Sequence, residues 1–328
     1  MTRERAVLRV AVPDMVSPSY FPAIAAVELG FFAEAGYDAE VELLYPVTAT
    51  YEALRDGRID LVGGAAHAPL YAFAEWHGCR LLCALSQKMY WFLVVRSDLG
   101  VRRGDVAALK GLRIGAAPGP VDGLRRLVVA AGLDPERDLS IGPVPGTAGP
   151  NVSFGVAAAQ ALAAGDVDGF WANGMAAEIA VRAGTGTVVV DARRDDAPPG
   201  IADFTFPALV ASQRRLDDDP ELASAAVRAI VRAQGALRAD PHLATKAAQR
   251  HFPREERALI AELVHRDAAY YDPRISADAV TAMNRFAHDV GILTDPHVPV
   301  DRVLAPGIQS AWTASAMPGD SNAAEDDQ

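Results

Sequence analysis

The feature that most constrains this chain is an internal echo. Ala53-Leu54-Arg55-Asp56-Gly57-Arg58-Ile59-Asp60-Leu61 is answered further along by Ala161-Leu162-Ala163-Ala164-Gly165-Asp166-Val167-Asp168-Gly169. Each reads as a helix closed by glycine, then a branched aliphatic residue, an aspartate and a buried strand. Ala35-Gly36-Tyr37-Asp38 is echoed, in the same order, by Ala131-Gly132-Leu133-Asp134. Two echoes in one order predict two copies of a single α/β lobe, the second opening near Leu112-Arg113-Ile114-Gly115.

The spacing around the echoes predicts the elements. Ala6–Val12 reads as a strand, Ile24, Val27 and Leu29 as the face of a helix, and Ala39–Tyr45 as the next strand. A loop over Pro46–Thr50 leads to a helix over Tyr51–Arg55, then a buried strand over Ile59–Val62 and a helix over Pro69–Trp76. Strand, helix and strand with short links imply a parallel sheet covered on both faces. Trp91–Ser97 and Phe206–Ser212 read as strands crossing between the lobes, hence a hinge. Helices over Pro220–Ala239, Pro241–His251, Glu255–Tyr270 and Ala277–Val290 are expected to pack back on the first lobe. The predicted division is residues 1–93 plus 208–312 for lobe 1 and 94–207 for lobe 2, and 328 residues suit two cores better than one. Residues 313–328 read as a disordered acidic tail.

Charge and composition exclude several functions. The formal net charge is -11 and the arginines are scattered among acids, so no basic stripe offers itself to nucleic acid. No run approaches the roughly 20 apolar residues of a membrane span. Cys79 and Cys83 have no metal-ligand spacing beside them and read as small core residues, so neither metal nor cofactor is expected. A monomer is expected. The charged opening Met1-Thr2-Arg3-Glu4-Arg5 leads straight into a strand, which predicts a cytoplasmic protein as written, or a periplasmic or extracellular one if a leader precedes it.

In open parallel sheets ligands lie beyond the carboxyl ends of the strands. Four loops meet that condition. In the first, Ser17 and Ser19 can donate and Tyr20 can stack. The second offers Thr48 and Thr50. The third, Gly63-Gly64-Ala65-Ala66-His67, lets backbone approach a ligand closely, with His67 as a neutral contact or a general base. The fourth contains Pro118 and Gly119. Across from it Trp171 can cover a ring and Asn173 can pair with its edge. Tyr90 and Trp91 stand near the expected hinge.

Ser19-Tyr20-Phe21-Pro22 followed by Glu28-Leu29-Gly30-Phe31-Phe32-Ala33-Glu34-Ala35-Gly36 resembles the opening of nitrate/sulfonate/taurine-type ABC-transporter substrate-binding proteins and of the related thiamine-pyrimidine-synthase-like (NMT1/THI5-like) family. Leu54–Asp60 and Leu109–Gly115 match the same pattern, so the resemblance covers roughly residues 7–300. It implies a two-lobed periplasmic-binding-protein-like fold of type II, a small-molecule ligand that is anionic or a flat heteroaromatic, and an ABC permease as partner. The chain lacks the cysteine-rich motif of the pyrimidine synthases, and its only lysines are Lys88, Lys110 and Lys246. Leaderless relatives that act on aromatic acids imply the alternative, a cytoplasmic enzyme of lyase or cofactor-biosynthesis type with His67 as its base.

Overall fold

The computed structural model describes residues 7–147, 152–194 and 197–313. The first lobe opens with β1 (Leu8–Val12) and α1 (Phe21–Glu28). Gly30, at φ +83°, then turns the chain into α2 (Phe31–Glu34), a conformation a side chain would oppose. β2 (Ala39–Leu43), α3 (Val47–Arg55), β3 (Leu61–Ala65) and β4 (Cys79–Ala84) continue the alternation. The second lobe contains β5 (Phe92–Arg96), β6 (Arg113–Ala116), α4 (Pro120–Ala130), β7 (Ser140–Gly142), α5 (Phe154–Ala164), β8 (Gly169–Ala172), α6 (Gly174–Arg182) and β9 (Gly186–Asp191). After it come β10 (Pro207–Ser212), α7 (Gln213–Asp218), α8 (Leu222–Ala239), α9 (Leu243–Ala247), α10 (Arg254–Asp267) and α11 (Ala277–Asp289).

The two sheets have the same plan. One runs β2-β1-β3-β10-β4 and the other β7-β6-β8-β5-β9. In each, one strand lies antiparallel to both its neighbours, β10 between β3 and β4, and β5 between β8 and β9. The echoed aspartates explain part of the likeness. The Asp60 N–H donates to the Arg9 carbonyl at 3.0 Å, and its carboxylate accepts the Arg9 N–H at 2.9 Å. Asp168 does the same to Arg113, at 2.8 Å and 2.9 Å. In both lobes, therefore, the motif pins the start of one parallel strand to its neighbour. The glycines of the motif, Gly57 and Gly165, sit at φ +74° and +75° where α3 and α5 end.

Several local expectations need correction. Trp91–Ser97 and Phe206–Ser212 do not cross between lobes; β5 and β10 each lie inside one sheet, and the chain passes between the sheets after β4 and after β9. Thr48 and Thr50 belong to α3, not to a loop. Gly63 and Gly64 are strand residues of β3. The stretch 69–76 forms two short 3₁₀ turns, separated by Ala72 and a non-helical Phe73, rather than one helix. The C-terminal helices do cover the first lobe, with α8 packed on α1, α2 and β4. α10 also reaches the second lobe, where Arg266 pairs with Glu178 at 3.1 Å. Cys79 and Cys83 are free thiols buried in β4, and burial pushes the Cys79 thiol up to about 12. Among the described residues no helix is long and apolar enough to cross a membrane. The expected acidic tail falls almost wholly outside the described residues.

Candidate functional site

The residues that follow β1, β3, β6 and β8 converge on one cavity between the sheets. Pro13, Asp14, Ser17 and Tyr20 come from the first of these loops, and Ala65, His67 and Ala68 from the second. Ala117, Pro118 and Gly119 come from the third and Pro120 opens α4, while Trp171 and Ala172 end β8 and Asn173 follows it. Tyr45, Val47 and Phe154 close one side, and Tyr90 and Trp91 come from the crossing segment. The remaining space is narrow, about 40 Å³, enough for about three or four water molecules. Entry of an organic ligand therefore requires the lobes to part.

Direct bonds join the lobes at this cavity. Asp14 is buried, and its Oδ1 accepts from Ser153 Oγ at 2.6 Å and the Val16 N–H at 3.3 Å. Its Oδ2 accepts from Asn173 Nδ2 at 2.6 Å and the Gly155 N–H at 3.1 Å. Burial raises the Asp14 carboxyl above its ordinary range, while these four donors pull it back. At the opposite rim the Tyr71 hydroxyl of the first lobe donates to Asp122 of the second. Tyr45 stacks on Phe154 with ring centroids 6.1 Å apart. Gly119, at φ +89°, brings α4 so close to α3 that a Cβ would stand 2.5 Å from Val47 Cγ1.

Three buried polar atoms in the lining have no partner among the described residues: Ser17 Oγ, His67 Nε2 and Trp171 Nε1. A buried polar group without a hydrogen bond costs about 1–3 kcal/mol, so each is a position where a ligand atom would be stabilising. His67 is held from its other side, Nδ1 lying 2.9 Å from Thr205 Oγ1, with its ring edge-on to Phe286 at 5.1 Å. Burial lowers its pKa to about 3, so the ring is neutral.

The expected residues therefore divide. Ser17, Tyr20, His67, Pro118, Gly119, Trp171 and Asn173 line the cavity. Tyr20 is committed to Tyr90, hydroxyl to hydroxyl, and Asn173 to Asp14 and to capping α6, where its Oδ1 accepts the Met175 and Ala176 N–H groups. Ser19, Thr48, Thr50, Gly63 and Gly64 lie outside the lining. The Ser19 hydroxyl accepts from Arg193 at 3.3 Å. Thr50 bonds back to the Pro46 carbonyl at 3.2 Å, as a hydroxyl one turn inside a helix readily does. Thr48 is half-buried on α3. Gly63 and Gly64 serve packing: a Cβ on Gly64 would lie 2.8 Å from the Tyr51 hydroxyl, and one on Gly63 would lie 3.1 Å from Leu85.

The model described as NMT1/THI5 like matches residues 17–244. The chain belongs to the NMT1/THI5-like family. Solved structures similar to this NMT1/THI5-like protein share its fold at low identity. The alkanesulfonate-binding protein SsuA from Xanthomonas axonopodis pv. citri, bound to MOPS, has a TM-score of 0.68 at 19% identity, covering 92% of this chain and 99% of that one. The periplasmic nitrate-binding protein NrtA from Synechocystis PCC 6803 gives 0.70 at 16%, over 94% and 88%. A mutant of the desulfurization enzyme DszB in complex with biphenyl-2-sulfinic acid gives 0.64 at 19%, over 94% and 99%. No curated protein matches this chain.

Asp14, Tyr45 and Phe154 were not among the residues singled out from sequence. Asp14 carried a usable signal: it is the first ionisable residue past the carboxyl end of β1, where the topology puts the cleft. Tyr45 and Phe154 carried none, since the stack between them exists only when the lobes meet.

Proposed function

We propose that this protein is a solute-binding protein, which captures a small organic molecule between its lobes and presents it, as a monomer, to the permease of an ABC-type uptake system. The observation that carries this reading is the cavity itself. Both lobes build it, and Ser17, His67 and Trp171 each leave a buried polar atom there without a partner. A ligand that supplies those partners favours the closed arrangement by its differential affinity for it. The family and the solute-binding neighbours SsuA and NrtA support the reading.

The alternative, an enzyme on this fold using His67 as base, has the DszB likeness in its favour. A ring with a pKa of about 3 takes up a proton poorly near neutral pH, which weighs against it. The binding reading also implies action outside the cytoplasmic membrane, and fractionation of expressing cells tests that corollary.

Native mass spectrometry of protein purified without added ligand should show a one-to-one small-molecule adduct that denaturation releases unchanged. Release of a chemically converted molecule would favour the enzyme. Protein that carries no adduct, and gains none from a mixture of small organic solutes, would sink the binding reading.

A further inference from the structure

The cleft distinguishes between the two ligand classes that the sequence leaves open. Among the described residues no lysine or arginine side chain lines it. Among the described residues the one buried guanidinium nearby, Arg193, lies outside the lining and is held by Asp267 at 3.1 Å, Ser86 at 2.8 Å and Ser19 at 3.3 Å, with its Nε alone unpartnered. An anion could instead be cradled by helix N-termini, but at α5 and α6 the protein fills those positions itself. At the start of α5 the Gly155 N–H goes to Asp14. At the start of α6 the Met175 and Ala176 N–H groups go to Asn173 Oδ1. The first turn of α4 carries its own acid, Asp122. An anionic ligand would therefore leave water without a countercharge and beside a carboxyl group, which is strongly unfavourable.

A cation fares no better. A carboxylate offers about four lone-pair sites. Those of Asp14 are matched by four donors, two on each oxygen. What remains for a ligand is largely apolar, the aromatic side chains of Tyr45, Trp91, Phe154 and Trp171, together with three unpartnered polar atoms. One of these, the Trp171 indole N–H, can only donate, and the Ser17 hydroxyl can donate as well.

We propose that the ligand of this cleft is a flat, uncharged aromatic ring carrying a hydrogen-bond acceptor at its edge. The inference rests on the solute-binding reading above and narrows it. The alkanesulfonate of SsuA and the nitrate of NrtA belong to those proteins, and a likeness under 20% identical passes on the fold alone.

Four probes share one ring and differ in charge: benzamide, benzoate, benzenesulfonate and benzamidine. Each is titrated into the wild-type protein near neutral pH, with tryptophan emission and calorimetric heat recorded together. Benzamide should bind at least about tenfold more tightly than the other three, the minimum expected from desolvating an unpaired charge. Trp171→Phe keeps a ring and removes the donor, so it should weaken benzamide by about tenfold, the usual effect of one hydrogen bond. Tighter binding of either anion or of benzamidine overturns the uncharged class and leaves the solute-binding reading intact. Silence from all four at millimolar concentration overturns the proposal as well. A native adduct found on the same protein would then show that the failure lies with the ring and not with binding.

Discussion

His67 shows how one buried side chain ties the cleft to stability. Its folded pKa, about 3, lies below the 6.5 of an exposed imidazole, so the unfolded chain binds the extra proton. Stability from this group is complete above pH 6.5 and is lost as pH falls through the window toward 3, by about 1.4 kcal/mol per unit. Between pH 7 and pH 5 the wild type should lose about 2 kcal/mol that His67→Gln does not. Urea unfolding of both proteins at the two pH values measures the difference. The raised carboxyl of Asp14 works in the opposite direction, contributing at low pH and losing its contribution as pH rises, but it is common to both proteins and cancels. Parallel pH profiles for the two would mean that His67 is hydrated and protonated like a surface histidine. Asn173 makes a different point about single residues. Its type suggested an edge partner for a ligand, and its position is right, yet both ends of its amide are used in joining α6 to Asp14.

At the scale of elements, the echo was readable because glycine and aspartate have backbone duties that hold in any lobe of this kind. Gly57 and Gly165 end helices in a conformation that disfavours a side chain, and Asp60 and Asp168 clamp the neighbouring strand. The start of α3 was misread because Pro46 and the threonines look like a loop, whereas Pro46 caps the helix and Thr50 bonds back within it. The paired glycines of β3 were misread for a similar reason, since a missing side chain serves close packing as well as ligand approach. Gly119 offers the test at this scale, because it sets how near α4 comes to α3. Gly119→Ala forces a Cβ against Val47 at a φ of +89°, at a cost of about 1–2 kcal/mol for the backbone alone. At saturating ligand the variant should hold the lobes apart and show a larger radius of gyration than the liganded wild type, and Val47→Ala should restore part of the closure. An unchanged radius in Gly119→Ala would mean that α4 gives way locally without moving the lobes.

For the molecule as a whole, the crossing segments decide whether closure is a hinge motion. The described residues of the two segments pair across the crossing, with the Met89 N–H donating to the Ala202 carbonyl at 2.8 Å and the Ala192 N–H to the Trp91 carbonyl at 3.1 Å. We propose that these segments bend and that the lobes otherwise move as rigid bodies. A compact chain of this length has a radius of gyration of about 20 Å, and the unliganded protein in solution should exceed its liganded form. Small-angle scattering with and without a bound solute measures this, and equal radii at saturation would mean a fixed cleft. The sequence by itself determined the α/β class, the duplicated lobe and the loops around the cleft, because periodicity and the helix-ending glycine act over a few neighbouring residues. Only the tertiary structure decided which side chains in those loops remain available. Asp14 meets Ser153, Gly155 and Asn173, and Arg193 meets Asp267, across separations that no local pattern records. Whether a buried polar atom is spent or free is settled by what the fold brings against it.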